Sequence, residues 1–121
     1  MSGMRTPPIA AVLVHVADVT EGLAWYERAF PHSVRRRIDE PLPIEYLAVG
    51  DVMLEIVPAD KKVASGAAGS VVYWWVEDFD AAVTHFESLG APLYRGPLAI
   101  EGDQQICQVR DPWGNCIGLR D

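Results

Sequence analysis

The chain has 121 residues, of which 50% are hydrophobic. This length suits one domain or two small halves that share a core, and the apolar content excludes wholesale disorder. Asp and Glu number 17 against 10 Lys and Arg, which gives a net charge of −7 and makes nucleic acid and anionic membranes unsuitable partners. The longest apolar run, Pro8–Val16, is much shorter than the ~20 residues of a membrane span.

The same run lacks the features of a secretory signal. One arginine precedes it, no small-x-small cleavage pattern accompanies it, and Asp18 follows almost at once. Two cysteines are too few for a disulfide framework. We therefore expect a cytoplasmic protein with reduced thiols.

The first half of the chain begins with a strand and continues with a helix. Ala10–Val16 is rich in β-branched residues. The period then becomes helical, and the apolar residues of one face are Val19, Leu23, Tyr26 and Phe30. Asp18 stands at the N-cap, Glu21 completes a capping box, and Pro31 ends the helix.

Three extended segments complete this half. They are Val34–Ile38, Ile44–Val49 and Val52–Val57, the last two joined by a tight turn at Gly50-Asp51. Three consecutive arginines, Arg35–Arg37, lie on the first of them. They favour a charged edge strand that blocks pairing over an anion site.

The second half repeats this plan. Val16-Ala17-Asp18-Val19 is echoed by Val76-Glu77-Asp78-Phe79, again after an apolar run, Ser70–Val76. A second helix has one apolar face with Phe79, Val83 and Phe86, and Gly90 is its expected C′ residue. Asp78 is the expected N-cap.

The extended segments that follow are also three in number. They are Leu93–Leu98, Gln104–Arg110 and Cys116–Arg120, the last two joined by the turn Asp111–Asn115. Arg95-Gly96-Pro97 within the first of them is typical of a bulge, with an arginine aimed at a cavity mouth as the alternative.

These elements predict an α+β fold of two βαβββ modules in tandem. Module one covers residues 8–63, a Gly/Ala/Ser-rich linker covers 64–69, and module two covers 70–121. With one helix per module, one face of each sheet would be bare. The two sheets are therefore expected to close around a cavity.

The duplicated unit and several of its segments resemble the vicinal oxygen chelate superfamily, which includes glyoxalase I, bleomycin-resistance proteins and extradiol dioxygenases. The resemblance rests on WYERAF, VMLEIV, VEDFDAAVTHFESLGA and RDPWGNCIGL, and covers residues 8–121. The pattern is most similar to bleomycin-resistance-like members, which bind a ligand without a metal. The resemblance also implies a homodimer.

Metalloenzymes of that superfamily place metal ligands in the first and last strands of each module. Glu55 matches the glutamate of the first module, whereas Gly118 stands at its counterpart, and Ala11 and Val71 stand at the first-strand positions. His15 shares the strand face of Ala11 but lies ~13 Å further along. The resemblance therefore predicts a metal-free site, with one divalent metal ion as the alternative.

Strand alternation predicts the residues that line the cavity. The Gly50-Asp51 turn places Tyr46 opposite Glu55, and pairing of Arg110 with Cys116 places Gln108 opposite Gly118. The candidate ligand-binding residues are His15, Tyr46, Met53, Tyr73, Trp75, Gln108 and Arg120, with Glu55 as the candidate catalytic group. This set suits a flat, partly polar, cationic small molecule. Tyr73 and Tyr46 could equally be core residues.

Three functions remain open from the sequence. The first is a small-molecule-binding protein with a metal-free aromatic cavity, acting as a homodimer. The second is a metal-dependent lyase, isomerase or dioxygenase of the glyoxalase type with an atypical site. The third is a metal-free enzyme in which Glu55 is a general base. Cys107 and Cys116 are predicted on opposite strand faces, where they cannot form a disulfide.

Overall fold

The computed structural model of the protein describes residues 9–121. They divide into two compact units, the first ending at Ala59 and the second beginning at Asp60. Each contains one helix of more than two turns and one four-stranded sheet with parallel and antiparallel pairs, so the predicted α+β class and the tandem βαβββ modules are confirmed. The predicted start of module one at Pro8 lies outside the described residues. Within the described range, no helix is long and apolar enough to cross a membrane.

The first unit follows the predicted order of elements. They are β1 (Ala11–Val16), α1 (Val19–Ala29), β2 (Val34–Ile38), β3 (Ile44–Val49) and β4 (Val52–Pro58). The sheet order is β1-β4-β3-β2, with β1 parallel to β4 and the other pairs antiparallel. The central β4 therefore has a strand on each side, and β2 is an edge strand.

Helix α1 begins at the predicted cap and packs closely on the sheet. The Asp18 side chain accepts a hydrogen bond of 3.0 Å from the backbone N–H of Glu21. Gly22 sits where the helix meets β1 and β4, and a Cβ there would lie 2.8 Å from methyl groups of Val16 and Ile56. Glycine is therefore required for the close approach of helix and sheet.

The second unit has the same plan with two differences. Its elements are β5 (Tyr73–Trp75), α2 (Phe79–Ser88), β6 (Leu93–Ala99), a 3₁₀ turn (Glu101–Asp103), β7 (Gln105–Arg110) and β8 (Cys116–Arg120), in the sheet order β5-β8-β7-β6. Strand β5 is shorter than the predicted Ser70–Val76 because it pairs only with the last three residues of β8. The 3₁₀ turn was not predicted.

A buried aspartate organises the turn between β7 and β8. Asp111 accepts hydrogen bonds from the backbone N–H of Trp113 (2.9 Å) and Asn115 (2.8 Å) and from the Asn115 side-chain amide (2.9 Å). The Asn115 Oδ1 in turn accepts from the backbone N–H of Gly66 at 2.8 Å. The predicted linker, residues 64–69, is thereby attached to this turn within the second unit.

Strand β6 carries the predicted bulge. Its register with β7 shifts on both sides of Arg95. Gly96 has a φ of +84°, and a Cβ there would lie 2.9 Å from the backbone oxygen of Ile106. Only glycine combines this backbone angle with so close a neighbour.

Candidate functional site

Glu55 lies in the middle of β4, on the face of the sheet opposite α1. Its neighbours Leu54 and Ile56 are buried, and strand alternation directs Glu55 to the other face. The adjacent residue on β1 is Leu13, which is 52% exposed. Glu55 is itself half-buried. Within residues 9–121, no hydrogen bond or ion pair involves its carboxylate.

The hydrogen-bonded ladder between β3 and β4 ends just before Glu55. The β3–β4 ladder has three pairs, from Val49–Val52 to Leu47–Leu54. The predicted register is confirmed over these three pairs, and the Tyr46–Glu55 pair lies beyond the end of the ladder. On its other edge, β3 pairs Tyr46 with Arg36 of β2. Beyond Leu47 and Leu54, β3 continues with β2 and β4 continues with β1. No β3–β4 pair follows Leu47–Leu54 in the ladder of the described residues.

A pocket of about 470 Å³ lies where β3 and β4 diverge. Six aliphatic side chains line it: Val19, Leu23, Pro43, Ile44, Ile56 and Val57. Glu55 and Thr20 also contribute to its wall. Leu23 and Ile56 belong to the α1 side of the sheet, whereas Glu55 and Val57 alternate to the other side. Residues that alternate to both faces of the sheet therefore line the same pocket.

Two arginines of the edge strand and Glu45 of β3 complete the wall, and each arginine has an acidic partner. Arg35 pairs with Glu27 at 3.0 Å and with Glu45 at 3.9 Å. Arg37 pairs with Asp39 at 2.6 Å. Strand β2 is exposed along its whole length, which confirms the charged edge strand predicted for residues 35–37.

These wall residues were not among the predicted site residues. Alternation along β2 places Arg35 and Arg37 on the same face and Arg36 on the other, a signal available in the sequence. That they border a pocket with Leu23 depends on the separation of β3 from β4, which no local pattern predicts.

In the second unit, an aromatic ring occupies the space beside Gly118. Tyr73 pairs with Gly118 across β5 and β8, and a Cβ at Gly118 would lie 2.6 Å from two ring carbons. Gln108 pairs with Gly118 from the other side, as predicted. Its amide donates a hydrogen bond of 2.9 Å to the Tyr73 hydroxyl. The ring and the amide thus cover the glycine together.

Next to this pair, Trp75 and Arg120 form a second contact. The Arg120 guanidinium lies 4.5 Å from the centre of the Trp75 ring, and its Nη2 donates to Gln104 at 2.7 Å. Trp75 is 73% exposed. This unit therefore presents an aromatic and cationic surface.

The predicted site residues thus form two groups, one in each unit. His15 lies beside Val57, and Met53 lies beside Ala11 and Ala48, so both are on the Glu55 face of their sheet. Tyr46 shares this face through alternation with the buried Leu47. Tyr73, Trp75, Gln108 and Arg120 form the second group, joined by the two contacts described above.

The residues present do not fit the four-ligand metal site that the resemblance implies. Leu13 and Tyr73 stand at the same distance before the capping aspartates, and they pair with Glu55 and Gly118 respectively. Glu55 and Gly118 therefore occupy equivalent positions in the two modules. At Gly118 the Tyr73 ring fills the space that a carboxylate would need. Ala11 and Val71, at the first-strand positions, have no donor atoms.

The cysteines are both free and poorly suited to nucleophilic chemistry. Cys107 is buried and pairs with Leu119, whereas Cys116 pairs with Arg110. Burial raises the pKa of both thiols. Less thiolate is then available at neutral pH.

Two tandem βαβββ modules define the fold class of this protein. The family model of the Glyoxalase/Bleomycin resistance protein/Dioxygenase superfamily matches residues 9–119. The chain belongs to this superfamily.

Solved structures show the same fold. An integron cassette protein from the mobile metagenome of V. cholerae has a TM-score of 0.71 and 19% identity, covering 97% of this chain and 96% of that one. A superfamily member from Sphaerobacter thermophilus has a TM-score of 0.72 and 14% identity, covering 95% and 97%. Lactoylglutathione lyase from Agrobacterium tumefaciens has a TM-score of 0.67 and 19% identity, covering 96% and 94%. No curated protein matches significantly.

Proposed function

We propose that this protein binds a small organic molecule at a metal-free site that includes the Glu55 pocket. The observation that carries this proposal is the pocket of about 470 Å³ with aliphatic walls and with Glu55, whose carboxylate has no partner among residues 9–121. Its volume lies within the ~300–1,000 Å³ of ligand pockets. Superfamily members often bind small molecules, which is consistent with this function.

The wall residues supply apolar contacts and a charged rim. The six aliphatic side chains offer apolar area, worth roughly 25 cal/mol per Å² removed from water. Arg35, held by Glu27 and Glu45, keeps one rim of the pocket in place. We also assign contact roles to the other predicted residues: His15, Tyr46 and Met53 in the first unit, and Tyr73, Trp75, Gln108 and Arg120 in the second.

A pocket-filling substitution tests this function. A chemically diverse library is screened by thermal shift, and hits are titrated by calorimetry against wild type and Val57→Trp. The indole added at Val57 fills the pocket, so binding is expected to fall at least tenfold. Val63→Trp is the matched control, because Val63 is 46% exposed outside the pocket. Hits that bind Val57→Trp as tightly as wild type, or a library without hits, would overturn the proposal.

A metal-free enzyme is the second candidate. The observation in its favour is that Glu55 is half-buried in a pocket with no protein partner among residues 9–121, as a general base would be. Glu55→Gln is then expected to abolish turnover of a substrate while leaving the affinity for neutral ligands unchanged. If turnover survives this substitution, Glu55 is not the base.

The metal-dependent alternative is tested by elemental analysis of protein purified without chelators or affinity-tag metal. Near-stoichiometric metal that is lost in Glu55→Ala would favour it over the metal-free proposals. We also propose a cytoplasmic homodimer, on the strength of the superfamily and the reduced cysteines. Sedimentation velocity measures the oligomeric state.

A further inference from the structure

We propose that the Glu55 pocket selects amphipathic organic monocations, with the cationic nitrogen at Glu55 and an alkyl body along the aliphatic wall. This inference rests on the proposed function, because it names the class of ligand for the same pocket. The ligands it describes are primary alkylammonium, alkylamidinium and alkylguanidinium ions.

The charges around the pocket favour a cation. Of the four charged residues in the wall, the two arginines are already matched by Glu27, Glu45 and Asp39. Glu55 is the remaining charged residue of the wall, and no ion pair with it is found among residues 9–121. The chain as a whole also has a net charge of −7. A cation is therefore attracted to this pocket, and an anion would have to displace a carboxylate from Arg35 or Arg37.

Glu55 itself needs a hydrogen-bond donor. It is half-buried, and among residues 9–121 no side chain or backbone N–H donates to its carboxylate. A partly desolvated carboxylate gains from a partner that brings both charge and N–H groups. A bond of this kind is worth roughly tenfold or more in affinity.

The shape of the pocket explains why the cation should have an alkyl body. Leu23 and Ile56, on the α1 side of the sheet, line the same pocket as Glu55. A ligand can therefore contact these side chains and Glu55 at once. The described wall contains aliphatic and no aromatic side chains, so it favours a flexible chain over the flat, partly polar ligand expected from the sequence.

An isosteric series tests the charge preference directly. Hexylammonium, 1-hexanol and hexanoate have nearly the same length and differ in charge. Each is titrated by NMR into wild type, Glu55→Gln, Glu55→Asp and Glu87→Gln. Glu87→Gln is the matched control, since it removes the same charge from an exposed position of α2 in the other unit.

The expected result has three parts. Wild type binds hexylammonium about tenfold more tightly than hexanol, and hexanoate most weakly. Glu55→Gln lowers hexylammonium to the level of hexanol and leaves hexanol unchanged. Glu55→Asp retains most of the preference, Glu87→Gln retains all of it, and high salt weakens only hexylammonium.

The outcomes separate this inference from the proposed function. Equal affinity for hexylammonium and hexanol, or a preference that survives Glu55→Gln, overturns the cation proposal while the pocket remains a binding site. Failure of all three probes, when library hits still lose affinity in Val57→Trp, also overturns only the cation proposal. Failure of both the probes and the library overturns the proposed function itself.

Discussion

Gly118→Ala tests the packing that replaces a carboxylate in the second module. An added Cβ would lie 2.6 Å from the Cγ and Cδ1 atoms of Tyr73, whereas carbon atoms in contact prefer ~3.5–4.0 Å. The ring must therefore retreat by about 1 Å. The retreat also stretches the 2.9 Å hydrogen bond between Gln108 and the Tyr73 hydroxyl.

The cost follows from these two effects. Overpacking of this kind costs ~1–3 kcal/mol, and an ordinary hydrogen bond contributes ~0.5–1.5 kcal/mol. Because Tyr73 is 38% exposed, part of the strain can be relieved by movement of the ring toward solvent. We expect a loss of about 2 kcal/mol in the free energy of unfolding, or a fall of roughly 8 °C in Tm.

A double-mutant cycle assigns that loss to the ring. Urea unfolding followed by circular dichroism is measured for wild type, Gly118→Ala, Tyr73→Ala and the double variant. Without the ring, Gly118→Ala is expected to be neutral or to stabilise by about 0.5 kcal/mol, since glycine weakens a strand. An equal loss in both backgrounds would refute the reasoning and place the strain in the backbone of β8.

Three further predictions concern the core and the thiols. Asp111→Ala should lower the free energy of unfolding by at least about 2 kcal/mol in urea, because three donors lose their buried acceptor; a smaller loss would mean that water replaces the carboxylate. Gly22→Ala should cost ~1–3 kcal/mol in the wild-type background and less in a Val16→Ala background, which lacks the Val16 methyl groups but keeps that of Ile56; an equal cost in both backgrounds would exclude the Val16 contact as the cause. Cys107 and Cys116 should react with a thiol reagent more slowly in the native than in the urea-unfolded protein at pH 8. Their pKa values are raised by burial, so the folded protein holds these protons longer and stability should fall as pH rises above the free-thiol pKa; equal rates would contradict the burial.

Much of the fold could be predicted because its signals are local. Asp18 and Asp78 were predicted as N-caps, and each accepts a hydrogen bond from the backbone N–H three residues on. The pairing of Arg110 with Cys116 correctly placed Gln108 opposite Gly118, because β7 and β8 stay paired along the whole of β8. A capping residue specifies where its own helix begins, and a turn specifies the first pairs of the two strands that it joins.

The candidate site was harder to predict because it depends on where the pairing of β3 with β4 ends. The Gly50-Asp51 turn fixes the first pairs of β3 and β4, but not how far the ladder continues. The ladder ends at Leu47–Leu54, although β3 and β4 both continue beyond it. Glu55 was identified from its apolar strand, whereas the position of Leu23 in the same pocket required the three-dimensional structure.

The two modules show why a carboxylate persists at one of two equivalent positions. The β7–β8 ladder continues for five pairs and passes Gly118, while the β3–β4 ladder stops after three pairs, before Glu55. A glutamate within a closed ladder and under an aromatic ring would be buried without a partner, which costs several kcal/mol. At Glu55 the neighbouring strand has moved away and Leu13, at the position of Tyr73, leaves the carboxylate half-exposed. The charge of Glu55 is therefore compatible with the fold because the ladder ends before it. A substitution that closed the space beside Glu55 is expected to raise the free-energy cost of burying its carboxylate.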